Sequence, residues 1–270
     1  QRLSPASLAL RLMSDTRTAE LEKEIAKLHT ELSSVKDSTE QLHEVLEAKG
    51  INSRRTADIF GRTFAQPVNA EHKASNLVIL SCAVPHARSF HASWFAFFVT
   101  FFSTFAPAPL AAALKREDTL ALTRADIGNG NIASVASNVF GRLIMGFICD
   151  KLGARRGLAF VVFMTCPAII GIALTTNAAG FITCRCIIGF GLATFVACQV
   201  WCTQQFAPSV VGVANATAGG WGNLGGGVTN LLMPVVYLIF MNATDQDADL
   251  SWRLCFIVPL CLHLAAGSRD

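Results

Sequence analysis

Charged residues are scarce in this chain. Only 15% of its 270 residues are Asp, Glu, Lys or Arg, while 52% are hydrophobic. A soluble domain carries about a quarter charged residues. The net charge of +3 is small and is divided between polar residues 1–75 and an apolar remainder, so it does not indicate nucleic-acid binding. The composition predicts a membrane protein.

Several signatures of catalysis and metal binding are also missing. The nine cysteines include no CxxC pair with a matching second pair. Most of them fall within apolar runs, where cysteine acts as a small apolar side chain. No nucleophile–base pair, phosphate-binding loop or metal-ligand cluster is recognisable. We therefore expect no enzyme activity, no metal site and no cofactor.

A heptad pattern marks residues 16–49. Its apolar seam alternates steps of four and three residues, with one polar member: Leu21, Ile25, Leu28, Leu32, Val35, Thr39, Leu42 and Leu46. This pattern predicts a coiled-coil-like helix over residues 16–50 that self-associates, with Gly50 as its stop. A single helix that lies on another surface is the alternative. We expect residues 1–15 to be disordered and residues 51–88 to form a linker and pre-membrane segment.

Residues 89–270 contain six apolar runs, each near the length of about 20 residues that a bilayer requires. They cover residues 90–114, 127–149, 158–175, 178–202, 210–240 and 252–266. Lys151, Arg155 and Arg156 lie in the short loop after the second run, while loops on the other side hold more Asp and Glu. Because basic loops stay in the cytoplasm, the amino terminus is predicted to be cytoplasmic.

The fifth run is rich in glycine. Gly219, Gly222 and Gly226 follow helical spacing, and Asn223 lies on an adjoining face. Glycines allow a second helix to approach closely, and an asparagine in hydrocarbon is costly without a purpose. The run therefore predicts a tight helix crossing beside a buried polar site.

Two further motifs resemble those of the major facilitator superfamily. The loop after the second run resembles the GxxxDxxGxRR motif through Gly146, Asp150, Gly153, Arg155 and Arg156. The fourth run resembles the RxxxGxG motif and begins it with Arg185. The resemblance implies an all-α, polytopic fold, of which this chain holds the six-helix amino-terminal bundle preceded by the heptad helix. It also implies that the loop is a conformational latch. Arg185 is expected to serve either structural pairing or proton-coupled gating.

The glycine-rich run resembles the signature of the nitrate/nitrite porter family, in its plant- and alga-type branch. Further matching segments are residues 85–94, 103–110, 126–129 and 190–199. This resemblance implies secondary active transport of nitrate by alternating access, with nitrite as a second candidate substrate and protons as the coupling ion. It also implies a multi-pass protein of the plasma membrane.

The resemblance places the family's substrate arginine at Arg142 and its substrate-contacting asparagine at Asn223. Nitrate is a planar anion with three acceptor oxygens, and a planar guanidinium holds two of them while it keeps its charge. No Asp or Glu lies within any of the six runs, which argues against an ion pair for Arg142. The alternatives are that unseen ion pair and, for Asn223, a hydrogen bond between helices.

The superfamily has twelve spans in two halves with the site between them. We interpret the chain as a fragment at both ends that lacks the carboxy-terminal six-span half. Two other functions stay open: a facilitator for another small anion, and a non-transporting, membrane-anchored coiled-coil fragment.

Overall fold

A computed structural model describes most of the chain, namely residues 5–48, 53–57, 63–82 and 84–267. The chain divides into two compact units, residues 1–53 and 54–270. The first holds one long helix, and the second holds a bundle of helices. This nearly all-helical architecture confirms the predicted fold class.

Helix α1 runs from Pro5 to Ala48. The prediction of disorder for residues 1–15 is therefore wrong from Pro5 onward. Alanine, leucine, arginine and methionine dominate this stretch, and all four favour the helix. Gly50, the predicted stop, lies outside the described residues.

The heptad seam of α1 is exposed wherever its side chains are described. Its apolar members there are between 51% and 68% exposed: Leu21, Ile25, Leu28, Leu32 and Val35. The side chains of Leu42 and Leu46 lie outside the described residues. An exposed apolar stripe is the surface through which coiled-coil helices pair. Self-association through residues 16–49 stays a prediction.

Two short strands interrupt the predicted linker. Strand β1 (Ser53–Ala57) and strand β2 (Thr63–Pro67) form a two-stranded sheet. The predicted linker and pre-membrane segment at residues 51–88 thus contains local β-structure that was not expected, and its role as a linker stays a prediction. Threonine and phenylalanine favour strands, but strands this short and polar do not stand out in a search for apolar runs.

Across the described part of residues 54–270, six helical segments build the bundle. They are α2 (His86–Phe105), α4 (Arg124–Leu152), α5 (Ala154–Leu174), α6 (Ala178–Phe190) with α7 (Thr194–Gln205), α8 (Val211–Ala243), and α9 (Ala248–Cys255) with α10 (Ile257–Gly267). A short helix, α3 (Ala111–Leu114), follows α2, and one 3-10 turn (Gly191–Ala193) joins α6 to α7. Within the described residues, five segments are long and apolar enough to cross a membrane, and α2 is not among them. His86, Arg88 and His91 make its first turns polar.

Prolines set two helix ends that the apolar runs did not reveal. Helix α2 ends at Phe105, not at residue 114 as predicted, because Pro107 and Pro109 follow and proline has no backbone N–H to donate. The sixth segment breaks after Cys255, whose carbonyl would bond to residue 259 in a continuous helix. Residue 259 is proline.

Two close crossings position the functional side chains. Helix α2 packs against α8, and α4 packs against α6. A Cβ atom at Gly225 of α8 would collide with the Phe98 carbonyl, and one at Gly189 of α6 would collide with the Ser134 backbone. The predicted tight crossing at the glycine-rich run is thus confirmed.

Helices α4 and α8 leave broad apolar faces uncovered. Their most exposed side chains, all at least 56% exposed, are Ile132, Val135, Val139, Phe140, Leu143 and Phe147 on α4 and Val213, Leu224, Leu231, Leu238 and Ile239 on α8. Faces of this kind require lipid or another protein surface.

Candidate functional site

Arg142 lies on the second half of α4, on an uncovered face. Its Nε donates a hydrogen bond to Oδ1 of Asn138, one turn earlier, at 3.1 Å. Its guanidinium lies over the Phe195 ring, 5.1 Å from the ring centroid. Within the described residues it forms no ion pair. The predicted alternative, a hidden acid, is therefore not found in the described part of the bundle.

This arrangement leaves the two terminal amino groups of Arg142 accessible to a ligand. Asn138 occupies only Nε, and the two terminal amino groups have no hydrogen-bond partner among the described residues. Phe195 holds the guanidinium plane by a cation–π contact without using its donors. The two terminal amino groups can therefore form the fork that binds a planar anion.

Phe195 links Arg142 to the glycine-rich helix. It lies on α7, which packs against both α4 and α8. A Cβ atom at Gly219 would stand 3.9 Å from the Phe195 ring. The ring thus lies between Arg142 on one helix and Gly219 on another.

Asn223 lies one turn beyond Gly219 and is exposed. Its Nδ2 donates one hydrogen bond to the Gly219 carbonyl at 2.8 Å. An amide NH2 has two hydrogens, so the second can be donated to a ligand. Gln199 of α7 reaches the same strip of α8, where its Nε2 donates to the Asn215 carbonyl at 3.2 Å.

Gly222 and Gly226 face helix α2. A Cβ atom at Gly222 would collide with the Phe97 ring, and one at Gly226 would lie 3.3 Å from the Phe105 ring. Phe97 is fully buried, and its ring centroid is 5.4 Å from that of Phe195. Gly222 and Gly226 therefore let α8 pack closely on phenylalanine rings of α2. One of these rings, Phe97, contacts the Phe195 ring that lies under Arg142. Their role as site-lining residues stays a prediction.

Arg185 has quite different surroundings. It is only 6% exposed. Its Nη1 donates to the Thr104 carbonyl, and its Nη2 donates to Oδ1 of Asn131 at 2.9 Å. Helix α2 ends at Phe105, so the Thr104 carbonyl lacks a helical partner, and a cation there also suits the negative end of the helix dipole. This geometry favours structural pairing over gating for Arg185.

The loop between α4 and α5 turns at Gly153. Its φ of +85° is a conformation that glycine adopts without strain. Asp150 and Arg156 are exposed on either side, and Gly146 has open space where a side chain would be. Arg155 is exposed as well and lines a cavity of about 230 Å³. The latch role of this loop stays a prediction.

Comparison with known families agrees with this architecture. A family model described as Major Facilitator Superfamily matches residues 93–268. The chain belongs to the Major Facilitator Superfamily. It is a multi-pass membrane protein of that superfamily, which confirms the resemblance drawn from the loop after α4.

Its relatives within the superfamily are nitrate transporters, which confirms the predicted nitrate/nitrite porter family. High affinity nitrate transporter 2.5 of Arabidopsis thaliana is 45% identical over 79% of this chain and 42% of its own length. High-affinity nitrate transporter 2.3 of Oryza sativa subsp. japonica is 43% identical over 73% of this chain and 37% of its own length. Nitrate transporter 2.1 of Chlamydomonas reinhardtii is 38% identical over 78% of this chain and 38% of its own length. The chain thus spans about two fifths of these superfamily members, whose names point to transport rather than catalysis.

Two residues of the site were missed in the sequence. Asn138 could have been found, because side chains four residues apart on a helix are neighbours. Phe195 could not, because only the packing of α7 on α4 brings its ring under Arg142.

Proposed function

We propose that the chain is the amino-terminal half of a nitrate transporter and that Arg142 binds the anion. The observation that carries the proposal is the open guanidinium fork of Arg142, which Asn138 and Phe195 hold without an acidic partner among the described residues. Nitrate is the proposed substrate because the relatives are named nitrate transporters. Nitrite is proposed as a second substrate, since relatives from Nostoc punctiforme and Picosynechococcus sp. are named nitrate/nitrite transporters.

The chemistry of the fork suits a small planar anion. Two parallel N–H donors match two oxygens of nitrate, and the guanidinium keeps its charge at any physiological pH. Asn223 would add a neutral donor from α8. The glycine-rich strip of α8, which includes Gly219, Gly222 and Gly226, would line the site on that side.

The second half of the site would come from a carboxy-terminal bundle. The uncovered faces of α4 and α8 offer it a large apolar surface, and the relatives are more than twice as long as the matched segment. Alternating access would then be a rocking of one bundle against the other. In that motion the loop from Asp150 to Arg156 would act as a latch.

The orientation that we propose puts the amino terminus in the cytoplasm and the protein in the plasma membrane. Lys151 at the end of α4 and Arg155 and Arg156 at the start of α5 give the turn at Gly153 its positive charge. On the opposite side, Arg116 is paired with Asp118 at 2.7 Å, so the loop after α3 carries little free positive charge. We also propose that transport of the anion is coupled to protons.

The test is Arg142→Lys in the complete transporter. Lysine keeps the charge but loses the fork, so we expect the KM for nitrate to rise roughly tenfold or more. Arg116→Lys, in the outer loop, is the matched control and should leave the KM unchanged. Competition by nitrite, chlorate and phosphate would identify the anion. An unchanged nitrate current and affinity in Arg142→Lys would overturn the assignment.

Self-association through α1 has its own test. A peptide of residues 16–50 should be helical and oligomeric at micromolar concentration. Circular dichroism and analytical ultracentrifugation measure both properties. A monomeric random coil would remove the proposal of dimerisation without affecting the transport site.

A further inference from the structure

Gln199 of α7 carries a hydrogen-bond donor that no described residue accepts. It lies one turn after Phe195, whose ring lies under the Arg142 guanidinium. Its Nε2 donates one hydrogen to the Asn215 carbonyl of α8 at 3.2 Å. A carbonyl only accepts, so this contact turns the NH2 group of Gln199, and not its side-chain oxygen, toward α8. An amide NH2 has two hydrogens, and the second has no acceptor among the described residues.

Gly219 leaves an open position beside this amide. A Cβ atom at Gly219 would stand 3.6 Å from Nε2 of Gln199 and 3.9 Å from the Phe195 ring, and no other described atom of a neighbouring helix would come within 4 Å of it. An atom at this position is thus in ordinary van der Waals contact with the amide and the ring. The Gly219 carbonyl also accepts the hydrogen bond from Nδ2 of Asn223. Two neutral donors, Gln199 and Asn223, therefore adjoin the same glycine.

This arrangement suits the third oxygen of nitrate. The guanidinium fork of Arg142 has two terminal amino groups and binds two oxygens. The third oxygen carries part of the negative charge and has lone pairs for two donors, which Gln199 and Asn223 can supply. Nitrite has only two oxygens, so the fork alone can bind both. A donor at the third position therefore distinguishes the two anions.

We propose that Gln199 is a further anion-contacting residue, whose second amide hydrogen donates to the third oxygen of nitrate and so favours nitrate over nitrite. This inference rests on the proposed function, because it requires that Arg142 bind the anion. The hydrogen bond to the Asn215 carbonyl orients the amide. A site built to donate a hydrogen bond discriminates against a ligand without the matching acceptor, because the donor is then left unpaired.

A purely structural role for Gln199 would need only the hydrogen that the Asn215 carbonyl accepts. A second side-chain bond joins the same two helices, since Nδ2 of Asn215 donates to Oγ1 of Thr203 at 3.2 Å. Thr203 is exposed and lies one turn beyond Gln199 on α7. Removal of this second bond weakens the contact between α7 and α8 but leaves the Gln199 amide in place. Thr203→Val is therefore the matched control for a structural effect.

The first test compares nitrate and nitrite in the complete transporter, with nitrite measured by its inhibition constant against nitrate uptake. Gln199→Met keeps the length of the side chain but removes both amide hydrogens. The KM for nitrate should rise about tenfold, because a hydrogen bond to an anion is lost, while the nitrite inhibition constant should change less than about twofold. Thr203→Val should leave the ratio of the two constants unchanged. An unchanged ratio in Gln199→Met would overturn the proposal.

The second test keeps Gln199 and fills the open position. Gly219→Ala places a methyl group where the third oxygen of nitrate would lie, at distances that the fold tolerates. The KM for nitrate should rise about tenfold, and the nitrite inhibition constant about twofold or less. Gly220→Ala is the matched control, because Gly220 is exposed and no atom lies within 4 Å of its Cβ position, and it should change neither constant. Equal changes for both anions in Gly219→Ala would overturn the proposal, even if Gln199→Met fails to fold.

Failure of this proposal differs from failure of the proposed function. Arg142→Lys that leaves both constants unchanged would overturn the proposed function. A raised KM for nitrate in Arg142→Lys, together with an unchanged ratio of the two constants in Gln199→Met, would overturn only the role of Gln199.

Discussion

Arg142 and Arg185 both lie in membrane-spanning helices, but their surroundings are opposite. Arg185 is buried, and its terminal nitrogens bond to the Thr104 carbonyl and to Asn131. Arg142 is exposed, and only its Nε has a hydrogen-bond partner among the described residues. An arginine whose terminal donors are used inside the fold stabilises it, while one with free terminal donors can bind a ligand.

The difference follows from where each residue lies. Arg185 is at the junction where α2 ends early, before Pro107, and exposes a carbonyl that needs a donor. Arg142 is on an exposed face of α4, where α7 contributes the Phe195 ring and no described helix contributes a hydrogen-bond acceptor. Because the prolines end α2 early, the Thr104 carbonyl lacks a helical donor, and Arg185 supplies one. The terminal donors of Arg142 have no partner among the described residues, because its side chain lies on an exposed face.

The largest expected effect is on stability at the buried arginine. Arg185→Gln removes the charged donor of the buried Thr104 carbonyl and of Oδ1 of the exposed Asn131, so the free energy of unfolding should fall by about 3 kcal/mol. Arg142→Gln removes one exposed hydrogen bond and should cost less than about 1 kcal/mol. Thermal unfolding in one detergent compares the two variants. Equal losses of unfolding free energy in the two variants would contradict the assignment of a structural role to Arg185 and a ligand-binding role to Arg142.

The next effect concerns the packing around each arginine. Gly189→Ala places a methyl group against the Ser134 backbone at the closed α4–α6 crossing, and should cost about 2 kcal/mol. Gly146→Ala lies on the open side of α4, one turn beyond Arg142, where no atom lies within 4 Å. It should cost nothing, and alanine's better helix propensity could stabilise it slightly. The same unfolding measurement applies, and a loss at Gly146 would mean that this face is already covered.

A smaller effect should appear at the residue that orients Arg142. Asn138→Ala removes its one hydrogen bond, worth about 1 kcal/mol, so the KM for nitrate should rise about fivefold. Asn230→Ala is the control, because Asn230 is exposed and its one hydrogen bond to the described residues goes to the Gly226 carbonyl of its own helix. Uptake kinetics in the complete transporter measure both. An unchanged KM for Asn138→Ala would show that Arg142 is positioned by other contacts.

The smallest effect should come from the aromatic support. Phe195→Leu keeps an apolar side chain but removes the cation–π contact, worth about 0.5 to 1 kcal/mol at an exposed site, so the KM should rise two- to fivefold. Phe140→Leu, on the outward face of α4, should leave it unchanged. If both variants behave alike, the ring does not hold Arg142.

Much of the bundle could be predicted because apolar runs report burial in lipid directly. Each of the six runs corresponds to an observed helical segment. The errors fall where local chemistry interrupts a run, as at Pro107 after α2 and Pro259 in the sixth segment. The strands β1 and β2 were missed because short polar strands lack any such signal.

The candidate site could be predicted only in part. Resemblance placed Arg142 and Asn223, and helical spacing could have added Asn138. The split of roles between Arg142 and Arg185 could not be predicted, because both are single arginines in apolar runs. Hydrogen-bond partners from other helices separate them.

The sequence by itself determined the class of molecule, the number of helical segments and the residue types available to bind an anion. These follow from composition and spacing, which act along one chain. The tertiary structure alone decided which donors stay free, which glycines let helices touch, and which ring lies under Arg142. Those properties depend on distances between segments far apart in sequence, and only packing sets such distances.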